Sequence, residues 1–455
     1  MQRALGARTL EQFSRACGGR LFGADRPYLG ISTDTRTLIA GELFVALRGP
    51  NFDGNAFAAA AETAGAAGAV VDTKQDLPIS QIVVPDVQGA LEQAGSHWRE
   101  AFTGPVVGVA GSNGKTTAKE MTAQILGQAG PCLSTRGNLN NHIGVPLTLL
   151  RLEAEHRFAV VEMGANREGE VAALVRIARP TIGLITNAGA EHLEGFGSLE
   201  GAARAEGEMV AGLAVDGVAV INADDKFSDM WRKSTRARVV TFGMRKGADF
   251  TASDVRVEGG ADGFVTSFTL QCPLGRVSME MQLAGQHNVS NALAAAAAAS
   301  AAGATLDNIV AGLGAMRAVK GRLQLKTART GAWIIDDSYN ANPDSVRAGI
   351  EVLAQLEGRK WLVLGGMGEL GEFADDAHIE AGAYAREQGM ERLFALGPLA
   401  ALAARSFGSG AETFSDVESL ARVLDEQAGA DVRILIKGSR FNRLERVVEA
   451  LVRKG

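Results

Sequence analysis

The sequence predicts an α/β protein of three domains: a small N-terminal α/β domain, a central parallel-sheet domain built around a phosphate loop, and a C-terminal Rossmann-like, doubly wound domain. Three observations lead there. The 455 residues exceed what one hydrophobic core usually serves. Short apolar runs alternate with helical patterns along most of the chain, as in successive βα units. That rhythm restarts twice, which sets the domains at 1–104, 105–318 and 319–455.

In the first domain, strand-like pieces at 43–47, 69–72 and 81–85 are separated by alanine-rich helical stretches. The second opens with PVVGVAG (105–111), apolar at consecutive positions as a strand covered on both faces would be, running into a glycine loop and a helix. Further strands follow at FAVVEMG (158–164), TIGLITN (181–187) and GVAVIN (217–222). Residues 249–283 alternate in polarity around glycine turns and predict antiparallel hairpins. The alanine-rich run 292–303 predicts a helix packed closely on a neighbour, too short and too weakly hydrophobic to span a bilayer. In the third domain WIIDDS, KWLVLGG, ERLFALG and RILIKGS alternate with helical patterns such as PDSVRAGIEVLAQL.

Composition excludes several classes. With 46% hydrophobic and 22% charged residues the chain can bury real cores and is not a disordered polymer. Its formal charge of -6, from 46 Lys plus Arg against 52 Asp plus Glu, provides no global basic field for nucleic acid or anionic lipid. Cys17, Cys132 and Cys272 are odd in number and widely spaced, which reads as reduced thiols rather than a disulfide framework or zinc site. Residues 1–19 mix charges with apolar residues and lack a signal-peptide core, so the expectation is a cytoplasmic protein that engages no membrane and no nucleic acid.

The strongest local motif is GSNGKTT: Gly111, Ser112, Asn113, Gly114, Lys115, Thr116 and Thr117. Between strand and helix, such a loop can cradle phosphates with backbone amides, neutralise them with Lys115 and offer the Thr116 hydroxyl to Mg²⁺. Its first glycine lies closer to Gly114 than in the usual phosphate loop. Glu162 ends the 158–164 run, where a carboxylate can hold Mg²⁺, and His192 follows the 181–187 run in the same way. A strand-end Glu bonded to a loop amide and a packed His are the plainer readings. Asn138, Asn140 and Asn141 in GNLNNHIGVPLTLL suit a substrate loop, or simply turns. In DDSYNANPDS, Asp337, Asn340 and Asn342 lie at a strand end, with Asn342 also placed to cap a helix opened by Pro343. Lys437 and Arg440 of KGSR end the last strand and could bind a carboxylate or solvate a turn.

These motifs, together with VVEMGANREGE, NAGAEHLEGFGS, GQHNVSNALAAA and KGRLQ, occur in an order similar to that of the Mur ligase family over the whole chain. Within it, the chain resembles the type that joins D-alanyl-D-alanine to UDP-N-acetylmuramoyl-tripeptide. The resemblance implies ATP and Mg²⁺ as cofactors and an acyl-phosphate route to a new amide. It implies Lys115 and Thr116 on the β- and γ-phosphates, Glu162 on the first metal, His192 on a second, Asn291 near adenine, and Arg322 and Asp337 reaching the nucleotide from the last domain. Residues 32–57 are similar to the segment that binds the uridine diphosphate end, implying Thr33, Asp34 and Arg36. The two small molecules are the expected partners of a monomeric enzyme.

Two departures stand out. Phe441 and Asn442 occupy positions where the family carries small and methionine residues. Glu206 stands where the family usually carries a lysine that carbon dioxide converts to a metal-binding carbamate. The expectation is that Glu206, ionised at neutral pH, supplies that charge to the second metal through a bridging water. Three competing readings are the neighbouring ligase that adds the third amino acid, whose Asp-Asn-Pro-Arg motif is absent here, a folylpolyglutamate synthase sharing the fold and ATP chemistry, and a nucleotide-gated binding protein without ligation.

Overall fold

The computed structural model describes residues 8–245, 247–260 and 263–452. The turn of the predicted hairpin at 261–262, and residues 1–7 of the leader reading, lie outside the described residues. Among the described residues, three sheets have four or more strands. The first is five-stranded, ordered Arg20–Phe22, Gln81–Val83, Gly68–Val71, Leu43–Val45, Ile31–Ser32, parallel except for its first pair. The second has six parallel strands ordered Arg238–Phe242, Val218–Asn222, Ile182–Ile185, Val106–Ala110, Phe158–Glu162, Cys132–Ser134. The third is ordered Gln324–Thr327, Trp333–Asp337, Val432–Lys437, Arg359–Gly365, Arg392–Leu396, Ala411–Phe414, antiparallel only at the first pair.

Interior strands of the central sheet are uniformly buried because helices cover both faces, which is why their sequences are apolar runs rather than alternations. One apolar cluster joins the first sheet (Leu43, Val70, Ile82) through Trp98 of helix Val87–Ala101 to one face of the central sheet (Val161, Ile185). Arg99 of that helix donates to the carbonyls of Ala178 and Arg179 at 2.8 Å each, tying it to the end of helix Glu170–Ala178. The opposite face packs on helices Lys115–Gly127 and Gln286–Ala301, with the hairpin sheet Thr251–Gly260, Gly263–Cys272, Gly275–Met281 lying against them through Phe268 and Met279. Ala294 to Ala299 of helix Gln286–Ala301 are fully buried, so small side chains let it lie close to its neighbours.

The chain leaves the central strand Val106–Ala110 for Cys132–Ser134 and Phe158–Glu162 on one side and then crosses to Ile182–Ile185 on the other, so the strand order reverses there. A crevice opens at the carboxyl ends there, the usual ligand position in such sheets. The third sheet turns its own carboxyl ends, at Asp337 and Lys437, to the same cleft.

Candidate active site

The cleft between the two parallel sheets encloses about 690 Å³. Its floor is the loop between strand Val106–Ala110 and helix Lys115–Gly127. Gly114 has φ +83°, and a Cβ there would lie 2.3 Å from Asn291 Oδ1, so glycine is required both by conformation and by the closeness of Asn291. Asn291 in turn donates to Asn288 Oδ1 at 3.2 Å. The Ser112 and Asn113 amides donate to the Asn187 carbonyl and Asn187 Oδ1, each at 2.9 Å. Those two amides therefore shape the loop instead of meeting an anion. Lys115, Thr116 and Thr117 open the helix, where first-turn N–H groups have no intrahelical acceptor and can take one.

Gly111 and Glu206 depart from the sequence expectation together. Glu206, on helix Leu199–Ala211, is 3% exposed, does not line the cleft, and accepts the Gly111 N–H at 2.6 Å. Gly111 thus spends its amide on Glu206 and not on phosphate. Burial pushes the Glu206 carboxyl up to about 7, against the pull of the Lys115 ammonium and the Gly111 amide. It does not line the cleft, and its carboxyl is held above the ordinary carboxylate range, whereas the sequence expectation has an ionised group facing a metal: a helical position cannot reveal which way its glutamate is buried.

Lys115 Nζ donates to the Ser112 carbonyl at 3.0 Å and pairs with Glu191 at 3.3 Å, both side chains 14% exposed. Burial lowers its tendency to hold a proton, but Glu191, Glu206 and Glu162 together outweigh that and raise it above the ordinary lysine range. The cation is secure, and a phosphate would compete with Glu191 for it. Glu191 went unmarked in the sequence, although it adjoins His192 in NAGAEHLEGFGS.

Thr116 Oγ1 donates to Glu162 Oε1 at 3.3 Å and accepts from Arg322 Nη2 at 3.2 Å, so Arg322 reaches the loop from beyond the central domain. Asn140 Nδ2 also donates to Glu162 Oε1, at 2.9 Å. The other oxygen, Oε2, is buried without a hydrogen-bond partner. A bare carboxylate oxygen beside a threonine hydroxyl and a phosphate-binding turn is a fitting donor for a hard cation. Among the described residues no three His, Cys, Asp or Glu side chains converge as a metal cage, so such an ion would draw its other ligands from phosphate and water, as Mg²⁺ does. His192 has φ +52°; its Nδ1 lies 2.5 Å from Glu369 of the third sheet's loops, and its Nε2 lies 3.5 Å from Glu191.

Of the asparagine loop, Asn138 and Asn140 line the cleft, whereas Asn141 lines it while spending Oδ1 on the Ile143 and Gly144 amides, as turn chemistry would. On the opposite wall Asp337 pairs with Lys437 at 2.6 Å, and Lys437 also donates to the Asn340 carbonyl at 2.9 Å. Asn342 Oδ1 caps helix Pro343–Ala354 by accepting from Ser345 N–H at 2.8 Å, while its Nδ2 donates to Asn113 Oδ1 at 2.8 Å. Asn340 is exposed at the mouth. Arg440 does not line the cleft: it lies over the Tyr339 ring at 5.3 Å, with Arg322 over that ring at 4.6 Å. Tyr339 was not singled out in the sequence. Phe441 is 63% exposed, and Asn442 accepts the Gly366 N–H at 3.0 Å and pins the loop after strand Arg359–Gly365.

Thr33, Asp34 and Arg36 belong to the first sheet's loops and do not line this cleft. There Arg36 grips Asp34 at 2.6 Å and holds its carboxyl down to about 2.

Fold and site together define a phosphate-loop enzyme whose nucleotide cleft is closed by a second, Rossmann-like sheet. Three family descriptions match in sequence: Mur ligase family, catalytic domain, at 27–101; Mur ligase middle domain at 109–299; and Mur ligase, glutamate ligase domain, at 321–440. The chain is 42% identical to UDP-N-acetylmuramoyl-tripeptide--D-alanyl-D-alanine ligase of Escherichia coli (strain K12), covering 98% of this chain and 99% of that relative. It is 35% identical to the like-named ligase of Bacillus subtilis (strain 168), covering 93% of this chain and 92% of that relative. Among solved structures it is similar to MurF from Acinetobacter baumannii, with TM-score 0.90, 34% identity and 98% of each chain covered. It also resembles the MurF ligase from Thermotoga maritima in complex with ADP, with TM-score 0.81, 27% identity, and 92% and 96% covered. The chain belongs to the Mur ligase family.

Proposed function

We propose that the chain joins D-alanyl-D-alanine to UDP-N-acetylmuramoyl-tripeptide at the expense of ATP, in peptidoglycan precursor synthesis. The observation that carries this reading is the meeting of Lys115, Thr116 and Glu162 from the central sheet with Arg322 from the start of the third domain, in one cleft. The named activity of relatives covered nearly end to end supports the substrate assignment.

In this reading, residues 105–318 bind ATP, residues 1–104 bind the UDP end through Thr33, Asp34 and Arg36, and residues 319–455 close on ATP and receive the amine. Lys115 and the helix-opening amides hold the β- and γ-phosphates, Asn291 meets adenine, and Arg322 and Asp337 complete the nucleotide site. Thr116, Glu162 and His192 would hold Mg²⁺, which when bound neutralises charge on the transferring phosphoryl group. The tripeptide carboxylate attacks the γ-phosphorus and ADP leaves. The dipeptide amine then attacks the acyl carbon and phosphate departs, so no side-chain nucleophile is required. Asn138, Asn140 and Asn141 flank the tripeptide; Asn340, Asn342, Lys437 and Arg440 flank the amine. Lys437 is neutralised by Asp337 in this arrangement, so it orients through hydrogen bonds more than net charge.

Closure excludes water, which would otherwise hydrolyse the acyl phosphate. We assign the enzyme to the cytoplasm as a monomer; among the described residues no helix is long and apolar enough to cross a membrane. The test is ADP release across a matrix of UDP-dipeptide, UDP-tripeptide, single amino acids and D-alanyl-D-alanine. Release that requires both the tripeptide and the dipeptide is expected. Release with a UDP-dipeptide and a single amino acid instead would move the chain to the neighbouring ligase.

A further inference from the structure

One buried cation takes no part in the chemistry above. Lys119 lies on the phosphate-loop helix three residues past Thr116 and is 0% exposed. An ammonium in that position loses its hydration and needs good partners to be tolerated. Its partners are the Glu120 carboxylate and the Thr135 carbonyl, the latter at 2.9 Å.

Thr135 is itself a junction. It is 1% exposed, its N–H donates to the Val160 carbonyl at 3.1 Å, and its Oγ1 accepts the Glu162 N–H at 3.0 Å. The chain then runs into the asparagine loop, where the Asn140 carbonyl accepts the Gly164 N–H at 2.8 Å and its Nδ2 donates to Glu162 Oε1 at 2.9 Å. Glu162 is thus held at its backbone by Thr135 and at its carboxylate by Asn140. Lys119 links that assembly to the helix carrying Thr116.

We propose that Lys119 is a positioning residue for the cation site between Thr116 and Glu162: acting through Thr135, it fixes the spacing of the phosphate-loop helix and the Glu162 strand end. The proposal rests on the reading above that a divalent cation binds there. A lysine that merely filled space would predict a different outcome, since an apolar residue of similar volume often replaces a buried charge without loss of stability.

The probe is Mn²⁺, followed by electron paramagnetic resonance with the full-length chain and ADP. Lys119→Met and Thr135→Val are each expected to weaken Mn²⁺ binding by about tenfold or more, in line with other residues that support a metal ligand. ADP binding without metal should stay at the native level, and Thr135→Ser, which keeps the hydroxyl, should restore Mn²⁺ affinity. Native Mn²⁺ affinity in folded Lys119→Met or in Thr135→Val would overturn the proposal. If Lys119→Met does not fold, Lys119→Gln, polar and shorter, is measured in its place with the same two outcomes, because the Thr135 pair leaves the carbonyl acceptor of Lys119 in place and reads only the hydroxyl. A failure of the ligase reading would appear separately, as absence of amide product from the native enzyme, while the Mn²⁺ measurement still reads the site.

Discussion

A carboxyl group away from water, with one neutral amide as its hydrogen-bond donor, holds its charge poorly, and Glu206 is in that position. Its folded-state pKa of about 7 lies above the ordinary 4.5. The fold therefore binds the proton more tightly than the unfolded chain does. The associated stability is fully present below about pH 4.5 and is lost as pH rises through about 7, a change on the order of 3 kcal/mol. Glu206→Gln keeps an oxygen for the Gly111 N–H and carries no charge at any pH. Thermal melts should therefore show the variant gaining on the native protein between pH 5 and pH 8, with its Mg²⁺ requirement unchanged. A Mg²⁺ requirement that rises in Glu206→Gln would return this residue to the metal site. The sequence could mark Lys115, Thr116 and Glu162, because strand ends and a glycine loop dictate where they point. It could not mark the burial of one glutamate on a helix of mixed composition, nor Glu191, whose importance comes from reaching Lys115 across the loop.

At the scale of elements, helix Pro343–Ala354 shows one residue serving two ends. Asn342 caps the helix through Oδ1 and contacts Asn113 of the phosphate loop through Nδ2. Asn342→Asp keeps the cap and loses the donor; Asn342→Ala loses both. The alanine variant should lose about 1 kcal/mol in thermal unfolding while the aspartate variant stays near native. Both should bind ADP more weakly by titration, the aspartate variant at least as weakly because its carboxylate faces the phosphate loop. Native ADP affinity in both would mean that the contact with Asn113 does not support the nucleotide site. Strands divide in legibility along one physical line. Those named from sequence in the three main sheets are interior strands, such as Val106–Ala110 and Val432–Lys437, whose two covered faces demand continuous apolar runs. Arg20–Phe22, Ile31–Ser32, Cys132–Ser134, Arg238–Phe242, Gln324–Thr327 and Ala411–Phe414 are all edges, short or mixed in polarity, and did not announce themselves.

For the whole molecule, the decisive relation is between sheets. Arg322 to Thr116, Asn342 to Asn113, the Ala190 N–H to Asp344, and His192 to Glu369 join the third sheet's domain to the phosphate loop and its neighbour. These contacts link residues far apart in the chain, and no local pattern encodes them. They were legible only as an implied closure, without the residues that make it. In the proposed reaction, closure brings the acyl donor, the nucleotide and the amine into one cavity, and the chemistry claimed for that cavity has a direct signature. In an acyl-phosphate route, one tripeptide carboxylate oxygen attacks the γ-phosphorus and leaves with phosphate when the amine displaces it. UDP-tripeptide carrying ¹⁸O in its terminal carboxyl, turned over with ATP and D-alanyl-D-alanine, should yield inorganic phosphate bearing one ¹⁸O by mass spectrometry. Amide product accompanied by unlabelled phosphate would contradict the account.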